Sequence, residues 1–230
     1  MRSPLAPVFL CVLLAACRGG EPTPVVEGKP TPPIEDTTVW RFESLSEIGG
    51  HAVEVQGDPQ LIDTSVGKAV EFDGEDDALF LPVHPLAGAE TFTWEVYFRP
   101  DSGGAAEQRF FHLQVEGKED RLLFETRLVE GGWYLDAFAS AGESKPLVVP
   151  GKLYPLDVWY HIAQVYDGKA YSAYVDGELQ MSADIALLPQ GEGRTSVGVR
   201  INLIDYFKGA VRLARFTRHA LTPEEFLPPL

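Results

Sequence analysis

Cysteine is scarce in this sequence: Cys11 and Cys17 are the only two among 230 residues. That excludes a fold stapled by several disulfides. Basic residues are also few, 19 Lys and Arg against 34 Asp and Glu, for a formal charge of −15. Neutralising phosphates takes grouped Lys and Arg, so nucleic acid is excluded as a partner. Amphipathic helical periodicity of useful length is missing, which argues against helical bundles and βαβ sheets. G-x-S-x-G, H-E-x-x-H and P-loop motifs are absent too. The five histidines (His51, His84, His112, His161, His219) are scattered without ligand spacing. Ser65-Val66-Gly67-Lys68 fits S-x-x-K, but it leads into a strand instead of opening a helix. What the chain does have is apolar side chain, 45% hydrophobic and 11% aromatic, which rules out a wholly disordered polypeptide.

The start is distinct. Met1-Arg2 supplies one positive charge, and Leu5 to Ala16 runs without a charged residue. At ~1.5 Å per residue that run reaches about 18 Å, short of the ~30 Å hydrocarbon core. It therefore reads as a signal peptide over residues 1–16, not a spanning helix. Leu14-Ala15-Ala16-Cys17 resembles the lipobox of bacterial lipoproteins. The resemblance implies cleavage before Cys17, acylation of its thiol and attachment to a membrane. In such lipoproteins Asp after the Cys favours the inner membrane; Arg18 here implies the outer membrane of a Gram-negative cell envelope.

Residues 17–35 then form a proline-rich tether, with Pro22, Pro24, Pro30, Pro32 and Pro33. Proline donates no ladder hydrogen bond and biases its predecessor toward extended backbone, so helix and central strand are excluded. A polyproline-like spacer of the eighteen residues after Cys17 extends on the order of 50 Å, at ~3.1 Å per residue.

From residue 36 to 230 the texture is short apolar runs separated by Gly, Pro and Asp. Val39 to Phe42, Lys68 to Phe72, Ala78 to Leu81, Thr91 to Phe98, Phe110 to Val115 and Leu122 to Leu128 read as strands. So do Trp133 to Phe138, Val158 to Tyr166, Ala170 to Val175, Ser196 to Ile201 and Val211 to Phe216. Period-two alternation, β-branched and aromatic enrichment, and Asp-Gly or Gly-Gly turns all point to an all-β antiparallel sandwich of about a dozen strands. Thr222-Pro223-Glu224-Glu225 carries the one helical signature, a capping box good for a single turn.

Four blocks of this domain, in order, resemble the laminin-G-like jelly roll of the concanavalin A-like lectin and glucanase superfamily. They are Gly67 to Leu81 around Phe72-Asp73-Gly74, and Thr91-Phe92-Thr93-Trp94 through Arg99-Pro100. The others are Trp159-Tyr160-His161-Ile162-Ala163 with its Asp167-Gly168 and Asp176-Gly177 turns, and Phe207 through Phe226. The resemblance implies two stacked, curved antiparallel sheets of six or seven strands each, with Trp94 and Trp159 buried and His161 structural. It does not imply activity, since the fold hosts lectins, adhesion modules, hydrolases and inert spacers.

Three chemistries are weighed on these residues. Glu71, Asp73 and Glu75 have the E-x-D-x-E spacing of glucanases of this superfamily, but Asp73-Gly74 reads as a turn that carries Glu75 past the bend. No catalytic residue is therefore assigned. A structural Ca²⁺ finds oxygen ligands in the same hairpin, with Asp77 as the metal candidate. In related jelly rolls Asp77's equivalent shares the metal with an acidic residue where this chain has Arg212, so an Asp77–Arg212 ion pair is the preferred expectation. Sugar binding needs an exposed aromatic beside polar groups; Trp133 and Tyr134, with Asn202, Asp205 and Tyr206, are the candidates, although Trp133 alternates with Leu135 and Ala137 as a core residue would. The sequence thus reads as a non-catalytic envelope lipoprotein binding glycan or protein. The alternatives are a glycoside hydrolase or lyase relative, and a passive structural module.

Overall fold

Alternation of apolar and polar side chains resolves into seventeen strands in the computed structural model, which describes residues 36–230. The expected signal peptide, the acylated Cys17 and the tether lie outside the described residues. The first eight strands are β1 (Thr37–Arg41), β2 (Glu47–Ile48), β3 (His51–Ala52), β4 (Glu54–Gln56), β5 (Gln60–Thr64), β6 (Gly67–Asp73), β7 (Ala78–Leu81) and β8 (Phe92–Pro100). Then come β9 (Glu107–Val115), β10 (Arg121–Val129), β11 (Gly132–Ala141), β12 (Glu143–Val148) and β13 (Tyr160–Tyr166). The series ends with β14 (Ala170–Val175), β15 (Glu178–Asp184), β16 (Gly193–Val197) and β17 (Lys208–Thr217). A single 3-10 turn, Pro223–Glu225, follows. Among the described residues no helix is long and apolar enough to cross a membrane.

Two antiparallel sheets face each other. One runs β15-β14-β13-β8-β17-β6-β5, with β1 added on β17; the other runs β12-β11-β10-β9-β16-β7-β4. The larger sheet has eight strands, one more than expected, because β17 is long enough for two partners along one edge. Lys208 to Val211 pairs with β6, and Leu213 to Thr217 pairs with β1. β2 and β3 form a separate ribbon.

The core is the aromatic filling between the sheets, as the alternation predicts. Trp94 and Phe216 from one sheet meet Phe111 and Phe124 from the other, with Trp94 and Phe124 centroids 4.4 Å apart. Phe98 stacks on Phe110 at 4.5 Å. Trp133 is fully buried there and donates its indole N–H to the Pro155 carbonyl at 3.1 Å, so it is a core residue and not an exposed platform. Two expectations change. Trp159 is only half-buried, its ring lying 5.6 Å from the Arg99 guanidinium, and Tyr160 fills the core in its place. The strand expected over Ser196 to Ile201 stops at Val197, because Gly198 has φ +89°. A Cβ at Gly198 would lie 2.4 Å from the Phe72 ring, so the chain turns there on the one residue type that fits.

Candidate functional site

The two outer faces of the sandwich differ in what lies on them. On the eight-stranded sheet, Thr93, Glu95 and Tyr97 alternate with the core residues Trp94, Val96 and Phe98, and the C-terminal segment straps across them. The Thr93 hydroxyl donates to the His219 carbonyl at 3.0 Å, the Leu227 N–H donates to Glu95 at 2.7 Å, and the Tyr97 hydroxyl donates to the Pro228 carbonyl. Phe226 packs edge-on against Tyr174 at 5.2 Å. Under this strap Glu95 is fully buried, with His161 Nε2 at 3.0 Å and the Arg215 guanidinium on its second oxygen. Burial alone would raise its pKa, but the bonds from His161, Arg215 and Leu227 outweigh it and hold the carboxyl below its ordinary range. Both His161 and Glu95 are structural here.

The seven-stranded sheet carries a charged ladder on its outer face. On β10 the residues alternating with core-facing Leu122 and Phe124 are Arg121, Leu123, Glu125 and Arg127; on β11 they are Tyr134, Asp136 and Phe138. A bulge in β9 puts both Phe110 and Phe111 into the core, so that Glu107 and Arg109 before it and His112 after it all point outward. Glu125 and Asp136 are direct partners across β10 and β11. Arg127 Nη2 donates to both, at 3.1 Å to Glu125 and 2.8 Å to Asp136, and Arg109 Nε reaches Glu125 at 3.1 Å. Glu107 completes the pairing of Arg127, and Asp205 that of Arg109.

Glu125 and Asp136 are each only 6% exposed. Burial first, and then the Asp136 charge beside it, raises the Glu125 pKa against the pull of both arginines. Burial likewise raises that of Asp136 although Arg127 lowers it. The face therefore presents two arginines held rigid by shared carboxylates, a geometry suited to fixing polar groups of a ligand.

The residues singled out by sequence are divided among three places. Tyr134 lies on this outer face, opposite Arg127 in register, and Asp205 joins the same network through Arg109. Asp205 and Leu203 hold positive φ values of 59° and 61° in the loop after β16, which also exposes Asn202, Leu203 and Ile204. Tyr206 points elsewhere: its hydroxyl accepts from Gln56 Nε2 at 2.7 Å, and the same nitrogen reaches the Asp76 carbonyl at 3.0 Å. Trp133 is in the core. Sequence reading missed Arg109, Glu125, Arg127 and Asp136. Their signal was there, charged side chains at every second position of otherwise apolar strands.

The acidic hairpin is a third region. Glu71 is held at 2.8 Å by Arg99 of the same eight-stranded sheet, Asp73 Oδ1 accepts the Glu75 N–H at 2.8 Å, and Glu75 lies in the bend past the end of β6. The expected Asp77–Arg212 ion pair does not form. Asp77 instead accepts the backbone N–H groups of Asp58 at 2.7 Å and Asp73 at 3.0 Å, while Arg212, at a bulge in β17, lies 5.7 Å from the Tyr97 ring. Asp73, Asp76 and Asp77 bring one carboxylate oxygen each within 4.8 Å of one another. With both Asp77 oxygens and one Asp73 oxygen engaged by the backbone, they fit a cation poorly.

No curated protein matches the chain in sequence. Among solved structures it is similar to domain 4 of AbnA, an extracellular arabinanase of Geobacillus stearothermophilus solved with arabinotriose. The identity is 19% and the TM-score 0.59, over 83% of this chain and 97% of that one. It is also similar to the binding domain of Paraclostridial Mosquitocidal Protein 1, at 14% identity and a TM-score of 0.62, over 82% of this chain and 50% of that one. The binding domain of botulinum neurotoxin DC in complex with SialylT gives 11% identity and a TM-score of 0.61, over 83% and 50%. The chain spans about half the length of these toxin domains. A family model for the concanavalin A-like lectin/glucanases superfamily matches residues 73–226. With two facing antiparallel sheets and an aromatic core between them, the chain belongs to the concanavalin A-like lectin/glucanase superfamily.

Proposed function

We propose that this protein is a non-catalytic glycan-binding module of the cell envelope, lipid-anchored at Cys17 and carried on the 17–35 tether. The saccharide lies on the outer face of the seven-stranded sheet. One observation carries this: Tyr134, Arg109, Arg127 and Asp205 converge there around a rigid charge network, whereas the opposite face is covered by its own C-terminal segment. Aromatic surface for a sugar ring beside fixed donors and acceptors is what pyranose recognition requires. The similar structures, two of them solved with a glycan or SialylT, support the same class of ligand.

A second reading is hydrolysis or lysis of a polysaccharide, favoured by the Glu125–Asp136 pair, two carboxyls of raised pKa on one face. Against it, both are nearly buried and tied to arginine, which leaves neither free to move a proton to a bound sugar. One experiment separates the two. On a glycan array, binding by the protein should weaken about five- to thirtyfold in Tyr134→Ala, the equivalent of ~1–2 kcal/mol. No reducing sugar should be released from β-glucans or arabinans. Release that disappears in Glu125→Gln would establish the enzyme instead.

A further inference from the structure

Beyond the charge network, the same face holds donors with no acceptor. His112 is fully buried, and its Nδ1 accepts the Ile201 N–H at 3.1 Å, so the hydrogen of the neutral ring sits on Nε2. That Nε2 has no partner, and neither do the buried Nε atoms of Arg121 and Arg200. The three groups are neighbours by construction. Arg121 pairs with Gln114, two residues along β9 from His112 on the same face, and Arg200 directly precedes the Ile201 whose N–H caps the ring. Burial, then the positive charges of Arg200 and Arg121, push His112 down to about 2, and burial and Arg200 lower Arg121 as well.

Two guanidinium groups are thus set against each other and against a neutral donor, in a chain where acidic residues outnumber basic ones 34 to 19. Arg109 and Arg127 are each matched by carboxylates, whereas Arg200 has no ion pair among the described residues. Arg121 has only Glu119, which is 84% exposed and contacts it at 3.3 Å. The Arg121 side chain packs 4.6 Å over the Phe138 ring and keeps 19% of its surface open, so a ligand lying along Tyr134 and Phe138 meets its guanidinium. A buried donor without an acceptor costs stability, and so do like charges held together; one bound oxyanion removes both penalties.

We propose that Arg121, Arg200 and His112 form a subsite for an oxyanion substituent, a carboxylate or a sulfate ester, of the saccharide bound on this face. The subsite rests on the glycan-binding reading and narrows its ligand to acidic glycans. Arg200 and Arg121 supply the charge and paired N–H groups, and His112 supplies a neutral donor that fixes the group's orientation.

Calorimetric titration of the purified protein with trigalacturonate, with its methyl ester, and with a sulfated galactan oligosaccharide and its desulfated form tests this. The acidic member of at least one pair is expected to bind at least tenfold more tightly than its neutral counterpart. Which pair shows the preference identifies the oxyanion. Arg200→Gln, at a partly exposed loop position, should abolish that preference without lowering the melting temperature, since it also removes one of two opposed charges, and Arg121→Gln should do the same. Equal affinity for the neutral and acidic members, or a preference that survives both substitutions, would overturn the subsite while leaving glycan binding intact. Absence of binding by all four probes and across the glycan array would instead bring down the glycan reading itself.

Discussion

Glu95 has no exposed surface, yet it is held as a carboxylate by His161, Arg215 and the Leu227 N–H. Because its pKa is lowered from the ordinary 4.5, its contribution to stability is fully present above about pH 4.5 and is lost as pH falls through the lower, folded value. Glu95→Gln should therefore melt lower at pH 7, by roughly 3 kcal/mol for a broken buried pair, and should lose less than the parent between pH 5 and 3. Melting temperatures across that range check both; parallel acid profiles would show that Glu95 is not the group that titrates. At this scale the sequence was legible wherever strict alternation held. Trp133 and Tyr134 are adjacent in sequence and end on opposite faces of β11, as period two requires. It was illegible where a bulge breaks the count. The irregularity between Val211 and Leu213 in β17 displaces Arg212 from any partner in register, so its distance from Asp77 could not be read from family spacing. For the same reason, the outward pointing of both Arg109 and His112 follows only once the extra residue in β9 is known.

Among the elements, the long central strands were predicted within one to three residues at most ends, because each packs an apolar face into the core. β4, β5, β12 and β15 were not foreseen. Their residues are mostly exposed or half-buried, and all four strands lie at sheet ends, where one side of the backbone has no neighbour and the side chains need no apolar face. The Asp176-Gly177 hairpin turn was foreseen and carries φ values of 48° and 78°, positive at both central positions as a tight hairpin demands. The capping box was foreseen too, with Glu225 accepting the Thr222 N–H at 2.9 Å. What this turn is for was not: it launches the segment that closes over Glu95 and Tyr97. Truncation after Leu221 removes the Leu227 N–H bond to Glu95, the Pro228 acceptor of Tyr97 and the Phe226 ring. The expected cost is about 3 kcal/mol, on the order of 6–12 °C in melting temperature for a domain of this size. An unchanged melting curve would mean that water replaces the strap without penalty.

For the molecule as a whole, the positions of the two faces matter as much as their chemistry. The C-terminal segment straps across the eight-stranded sheet, the charged outer face of the seven-stranded sheet is the recognition surface proposed above, and the sandwich that builds both faces lies within residues 36–230. On the proposed reading, residues 1–35 add address and reach. Each buried lipid CH₂ contributes ~0.8 kcal/mol, and a single chain binds a bilayer only reversibly, so a lasting anchor at Cys17 needs two or more chains. Mass spectrometry of the membrane-extracted protein should accordingly find its first residue at Cys17, heavier by a multiply acylated glyceryl group, and detergent-phase partitioning should follow that mass. Cys17→Ser should carry no acyl mass, while its melting temperature matches the parent because no strand of the sandwich has changed. A mature chain that begins at another residue, or membrane retention of a Cys17→Ser protein freed of its leader, would place the attachment elsewhere. The proposed recognition face would then have to meet any glycan without a lipid holding it at the envelope.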